Sequence, residues 1–120
     1  MKTIITSILC LLFSATAMAH TGLKTSSPSH NSTLEHSPKN LSLQFNAKVR
    51  LIKLSLKDAQ NKAIDIDFTA TKQAASTFEL PLMPLNSGNY SAKWIAISGD
   101  GHKVKGTIQF TITNNPTPTS

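Results

Sequence analysis

Apolar residues recur at every second position in a series of short runs between Leu41 and Ile112, and no run carries the helical period of roughly 3.6 residues. Leu41, Leu43 and Phe45 alternate with Ser42 and Gln44. Residues 49–56 continue the pattern, with a register change near Leu51-Ile52 that predicts a β-bulge. Ile64, Ile66 and Phe68 alternate with Asp65 and Asp67. Residues 77–82 form a shorter run, and Pro81, which lacks an N–H, fits only an edge or a strand end. Tyr90, Ala92, Trp94 and Ala96 share one face of a longer run, and Val104, Ile108, Phe110 and Ile112 mark the last one. Residues 21–28 read as a short polar edge strand carrying Leu23. Turn-forming clusters separate these runs: residues 30–33, 37–40, 58–62 and 86–89. About seven short strands, with turn signals about every 8–12 residues, predict an all-β domain. The expected form is a two-sheet antiparallel sandwich of immunoglobulin-like type. Trp94 and Phe110 are expected in its core, with Tyr90 closing one end through a hydrogen-bonded hydroxyl.

The first nineteen residues stand apart. Lys2 is followed by mostly apolar residues 4–15, interrupted by Thr6, Ser7 and Ser14, and then by the small-x-small sequence Ala17-Met18-Ala19. This predicts a signal peptide over residues 1–19, cleaved before His20. The apolar run is shorter than the roughly 20 residues of a membrane span. Leu9 precedes Cys10 where a lipidated cysteine would follow a small residue, so a lipoprotein is not expected. Cys10 is the only cysteine and leaves with the signal. The mature chain therefore has no disulfide and no thiolate, although export would permit disulfides. Residues 20–113 are expected to form one domain, stabilised by its apolar core, with residues 114–120 as a disordered tail.

The formal net charge is +6, with lysines scattered along the chain rather than gathered in a block. Few aromatics and no basic run argue against nucleic acid. A solvated cationic surface is the expected role of these lysines, with weak attraction to anionic membrane surfaces left open.

The residues that carry chemistry are few. Ser98-Gly99-Asp100-Gly101-His102 lies between two strand-like runs. Asp-Gly alone is a common turn, and an isolated histidine is usually a surface residue. His30 and His36 sit in polar loop-like stretches and are read that way. His20 differs, because as the first residue of a mature chain it would offer an α-amine and Nδ1 in one chelate ring. His102 would add a third nitrogen, and Asp100 an oxygen ligand or a nearby negative charge. Two or three nitrogens with oxygen form the set Cu(II) favours, and Cu(II) leads the first-row divalent ions in affinity. Asp100 and His102, two residues apart, would share a face if extended, and Gly101 leaves room between them. Cu(I) prefers sulfur, and only Met83 remains after the signal, so no dedicated Cu(I) site is expected.

Gly88-x-Tyr90, Trp94, Ser98-x-Asp100-Gly101-His102, Gly106 and Phe110 together resemble the C-terminal signature of the CopC family of periplasmic copper-resistance and copper-homeostasis proteins. His20 after Ala-x-Ala, Leu23, Ser27-Pro28, Leu34, Ser37-Pro38 and Leu41-x-Leu43-x-Phe45 extend the likeness over about residues 20–113. The resemblance implies a seven-stranded Greek-key sandwich that holds one Cu(II) per chain through His20, Asp100 and His102. It implies a periplasmic, monomeric carrier or buffer rather than an enzyme. The copper would pass to a separate CopD-like membrane transporter or to another periplasmic copper protein. The Met-rich Cu(I) segment of some members is missing between Asp65 and Leu85. Asn46-Ala47 stands where some members carry an acidic residue. Two other readings compete: a small histidine-brace copper monooxygenase, and a metal-free structural immunoglobulin-like domain.

Overall fold

The structure is a computed structural model that describes residues 21–114. The expected signal peptide, His20 and all of the expected tail except Asn114 lie outside the described residues. Among the described residues seven strands follow one another without a helix: β1 Leu23–Ser27, β2 Ser32–Leu34, β3 Asn40–Asp58, β4 Ala63–Ile64, β5 Ala75–Pro81, β6 Gly88–Ser98 and β7 Lys103–Ile112.

β3 organises the rest. At 19 residues it is much the longest strand, and it serves two sheets in turn. Its first part pairs with β1 on one side and β5 on the other. Its second part, from Val49 onward, pairs with β6, and Leu56-Lys57 pair with β4. β6 then pairs with β7, and β7 with β2. The change of sheet falls at residues 46–48, which are all exposed and interrupt the alternation. A strand that turns such a corner contributes to both layers of a sandwich. Every pairing is antiparallel except β2 with β7, which is parallel. The expected bulge is present: the β3–β6 register shifts between Leu51 and Lys53, leaving Ile52 exposed.

The inward positions form one core. Leu41, Leu43 and Phe45 come from the first sheet; Val49, Leu51, Ala92, Trp94, Ala96, Ile108 and Phe110 come from the second. Phe45 joins the layers, with its ring edge-on to Trp94 at 5.0 Å between centroids and to Phe78 at 5.9 Å. Trp94 has room because Gly106 stands opposite it on β7; a Cβ there would lie 2.6 Å from the indole. Tyr90 stacks on Phe110, and its hydroxyl donates to the Asn86 carbonyl at 2.7 Å, closing the end of the sandwich as expected. Burial, followed by the nearby Asp58 charge, raises the Tyr90 phenol above its ordinary value.

Two stretches differ from their sequence pattern. Residues 63–68 alternate cleanly, yet only Ala63–Ile64 pair as a strand. Ile66 and Phe68 still pack against the core, so facing was legible there and pairing was not. The loop expected at residues 30–33 contains the start of β2, because Ser32, Thr33 and Leu34 lie alongside Phe110, Thr111 and Ile112.

Candidate metal centre

The loop between β6 and β7 is a tight turn built around Ser98. The Ser98 N–H donates to the His102 carbonyl at 2.8 Å, and the Gly101 N–H to the Ser98 carbonyl at 2.9 Å. Gly101 has φ +91°, a conformation that favours glycine, which is the backbone reason for the Gly in Asp-Gly-His. The Ser98 side chain is buried and its hydroxyl donates to Asp100 Oδ1. The His102 N–H reaches both Ser98 Oγ at 3.2 Å and Asp100 Oδ1 at 3.3 Å.

The second oxygen of Asp100 meets the imidazole: Oδ2 lies 2.9 Å from His102 Nδ1. A proton on Nδ1 donates to that carboxylate and leaves Nε2 as the free acceptor. This arrangement of carboxylate and histidine fixes the tautomer and orientation of the ring. The hydrogen bond from Ser98, then those from the His102 side chain and backbone, lower the Asp100 carboxyl from 3.8 to about 2. Asp100 is therefore a carboxylate at any pH near neutrality. Both side chains are open to solvent, 80% exposed for His102 and 68% for Asp100.

Two of the three sequence-predicted residues are thus in contact. They do not complete a site alone, since no group of three or more His, Cys, Asp or Glu side chains comes together among the described residues. His20, the third, lies outside the described residues. The chain leading from it is nevertheless held close by. The Gly22 N–H donates to Asn46 Oδ1 at 3.0 Å, and the Asn46 N–H donates to the Gly22 carbonyl at 3.0 Å. Asn46 sits at the corner of β3, three residues before Val49, which pairs with Ser98 at the start of the loop. Two residues of chain, at most about 7 Å, separate His20 from Gly22.

The other histidines are elsewhere. His30 Nδ1 accepts the Gln109 N–H at 3.0 Å, and Gln109 is six residues along β7 from Lys103. His36 is exposed and follows Leu34, which pairs with Ile112 at the far end of β7. Sequence reasoning placed Ser98 in the signature without giving it a role; the S-x-D-G-H spacing was the available signal. Asn46 was noted only as a departure from an acidic residue, and its bonds to Gly22 need the folded register to be seen.

Two sheets on one apolar core, with an aspartate–histidine loop at the end where the described chain begins, define a small β-sandwich with an exposed carboxylate–imidazole pair at its rim. Residues 23–113 match the CopC domain family. Copper resistance protein C of Xanthomonas campestris pv. juglandis is 30% identical, over 92% of this chain and 93% of that protein. Copper transport protein CutJ of Bacillus subtilis is 31% identical over 81% of this chain, which corresponds to only 19% of that longer protein. The crystal structure of CopC from Methylosinus trichosporium OB3b superposes with a TM-score of 0.67 at 27% identity, covering 79% of this chain and 95% of that one. The chain belongs to the CopC family.

Proposed function

We propose that this protein is an exported copper-binding protein that carries or buffers Cu(II) in the periplasm and does not turn it over. Relatives named for copper resistance and copper transport support copper as the cargo. In this reading residues 1–19 are a signal peptide, and its removal creates the free α-amine of His20. One Cu(II) is held by that amine, by His20 Nδ1 and by His102 Nε2. Asp100 contributes its carboxylate, as an oxygen ligand or as the acceptor that fixes the His102 ring.

The observation that carries the proposal is the pair of Gly22–Asn46 hydrogen bonds, which anchor the segment after His20 at the corner of β3, just before Val49, which pairs with Ser98. The donor set is nitrogen-rich with one carboxylate, which suits Cu(II) better than Cu(I). The exposure of His102 suits a carrier, since a partner's ligands can approach the bound ion and exchange with it. A CopD-like membrane transporter or a second periplasmic copper protein would be such a partner, and the carrier would act as a monomer.

A Cu(II) competition titration tests this on two forms, one beginning at His20 and one with a single Ala added before it. The extension is expected to weaken binding by several orders of magnitude. Equal affinities would remove the α-amine from the site and sink the proposal.

A further inference from the structure

The lysines that are scattered in the sequence are gathered by the fold. The outward positions of β3, β6 and β7 align in rows across the sheet. Arg50 pairs with Ile97, which pairs with Lys103. Lys53, Ile95 and Lys105 form the next row, Ser55, Lys93 and Thr107 the third, and Lys57, Ser91 and Gln109 the fourth. Each row carries at least one cation and none carries a carboxylate. Within a row no cation stands directly opposite another, so a central Ile or a pair of hydroxyl side chains separates like charges that would otherwise repel. Six of the chain's twelve Lys and Arg residues therefore lie on one face, roughly 20 Å long and about 10 Å wide by strand spacings. Neighbouring charges are about a Debye length or less apart at physiological salt, so their fields add.

Four of the six acidic residues lie off this face. Glu35, Asp65, Asp67 and Glu79 are outside its rows. Asp58 and Asp100 flank its two ends, but each is engaged locally. Asp58 Oδ1 accepts the Gln60 and Lys62 N–H groups of a turn, and Asp100 is bound to Ser98 and His102. Among the described residues none of the six cations forms an ion pair with a carboxylate. A shallow hollow of about 580 Å³ crosses the middle of the face, rimmed by Lys53, Lys57, Lys93 and Lys105.

We propose that this face docks the protein on an anionic phospholipid surface, lying flat with the Asp100–His102 loop at the edge of the contact. The chemistry of the face favours a bilayer over an acidic protein. Lysine is depleted in protein–protein interfaces, whose centres are apolar and aromatic, and no aromatic ring stands in these four rows. Five of the six cations are lysines, which act as flexible point charges, rather than arginines suited to bidentate carboxylate pairs. A planar array of such charges matches a plane of headgroups, each lysine near an anionic membrane adding a favourable increment. Copper plays no part in this contact, so the metal-free protein tests it independently of the copper-binding proposal.

The test is flotation with vesicles of equimolar phosphatidylglycerol and phosphatidylcholine, and with phosphatidylcholine alone, using protein expressed as the full chain and purified as processed. The triple variant Lys53→Gln/Lys93→Gln/Lys105→Gln is compared with Lys24→Gln/Lys39→Gln/Lys72→Gln, which removes the same charge elsewhere. Circular dichroism confirms that each is folded. Binding to the anionic vesicles at low salt is expected to fall on the order of 100-fold in the first variant, roughly fivefold per lysine, and only a few-fold in the second. Equal losses in both would show that net charge alone is responsible and would overturn the proposal. So would equal binding to the two vesicle types, or displacement by inorganic phosphate at matched ionic strength, which would mark a free-anion site instead.

Discussion

Replacing Gly106 with Ala should destabilise the sandwich far more than one methyl group suggests. The added Cβ would stand 2.6, 2.8 and 2.9 Å from three atoms of the Trp94 indole, all well inside ordinary contact. The indole has little room to retreat. Trp94 is 4% exposed, and its other neighbour, Phe45, packs edge-on with 5.0 Å between ring centroids. No hydrogen bond anchors its Nε1, so packing alone sets its position. Overpacking of this kind costs about 1–3 kcal/mol, and three close atoms place this case toward the upper end. For a domain of this size each kcal/mol lowers Tm by roughly 4–8 °C, so a fall of about 10–20 °C is expected in thermal unfolding followed by circular dichroism. Trp94→Phe in the Gly106→Ala background removes the atoms that clash and should recover part of the loss, giving a favourable coupling in the double-mutant cycle. A Tm within about 2 °C of the parent, or no coupling, would mean that the strands separate easily at this point and that the tight register argued here is wrong.

Other consequences concern the site. His102→Ala should weaken Cu(II) binding by orders of magnitude in a competition titration, whereas His36→Ala should leave it unchanged. His30→Ala should lower stability by about 1 kcal/mol in denaturant titration, through the lost Gln109 N–H bond, without affecting copper. Asn46→Ala removes the acceptor for Gly22 and should reduce copper affinity roughly 10–100-fold while the sandwich stays folded, since it loosens the approach of the N-terminus rather than the loop. Copper should be released in acid, because protons compete with the ion for nitrogen ligands, and a competition titration repeated at falling pH should show the affinity decline. Asp100 does not drive this release. Its folded pKa is depressed to about 2, so its contribution to the loop is full above its unfolded value of 3.8 and is lost only as pH falls toward 2. NMR of its carboxyl carbon in metal-free protein should show a midpoint near 2.

Much of the fold was legible because period-two alternation reports which side chains face inward. Tyr90, Ala92, Trp94 and Ala96 are all buried, as that pattern requires. Alternation does not report pairing. Ile66 and Phe68 face the core without joining a ladder, and Ser32–Leu34 join one without any local sign of it. Nor does it report register. The cationic face exists because Arg50, Lys53 and Lys57 on β3 fall beside Ile97, Ile95 and Ser91 on β6, and that alignment depends on the bulge at Ile52. Along the chain the same residues look dispersed.

The least legible feature, the corner of β3, is also the one that makes a site conceivable. Asn46-Ala47-Lys48 breaks the alternation and reads in sequence as a gap between two strands. In the fold the chain stays in one strand through this gap while passing from one sheet to the other. Phe45, just before the corner, pairs with Leu23 in the first sheet; Val49, just after it, pairs with Ser98 in the second. Five residues of one strand, Phe45 to Val49, thus link the segment leading from His20 to the loop carrying Asp100 and His102, although His20 and Asp100 are eighty positions apart in sequence. Neither sheet alone would bring them together. The Asp-Gly-His spacing can be found by reading the chain, but the proximity of the segment from Gly22 onward to that loop, on which the proposed copper site relies, comes from a strand that belongs to both layers.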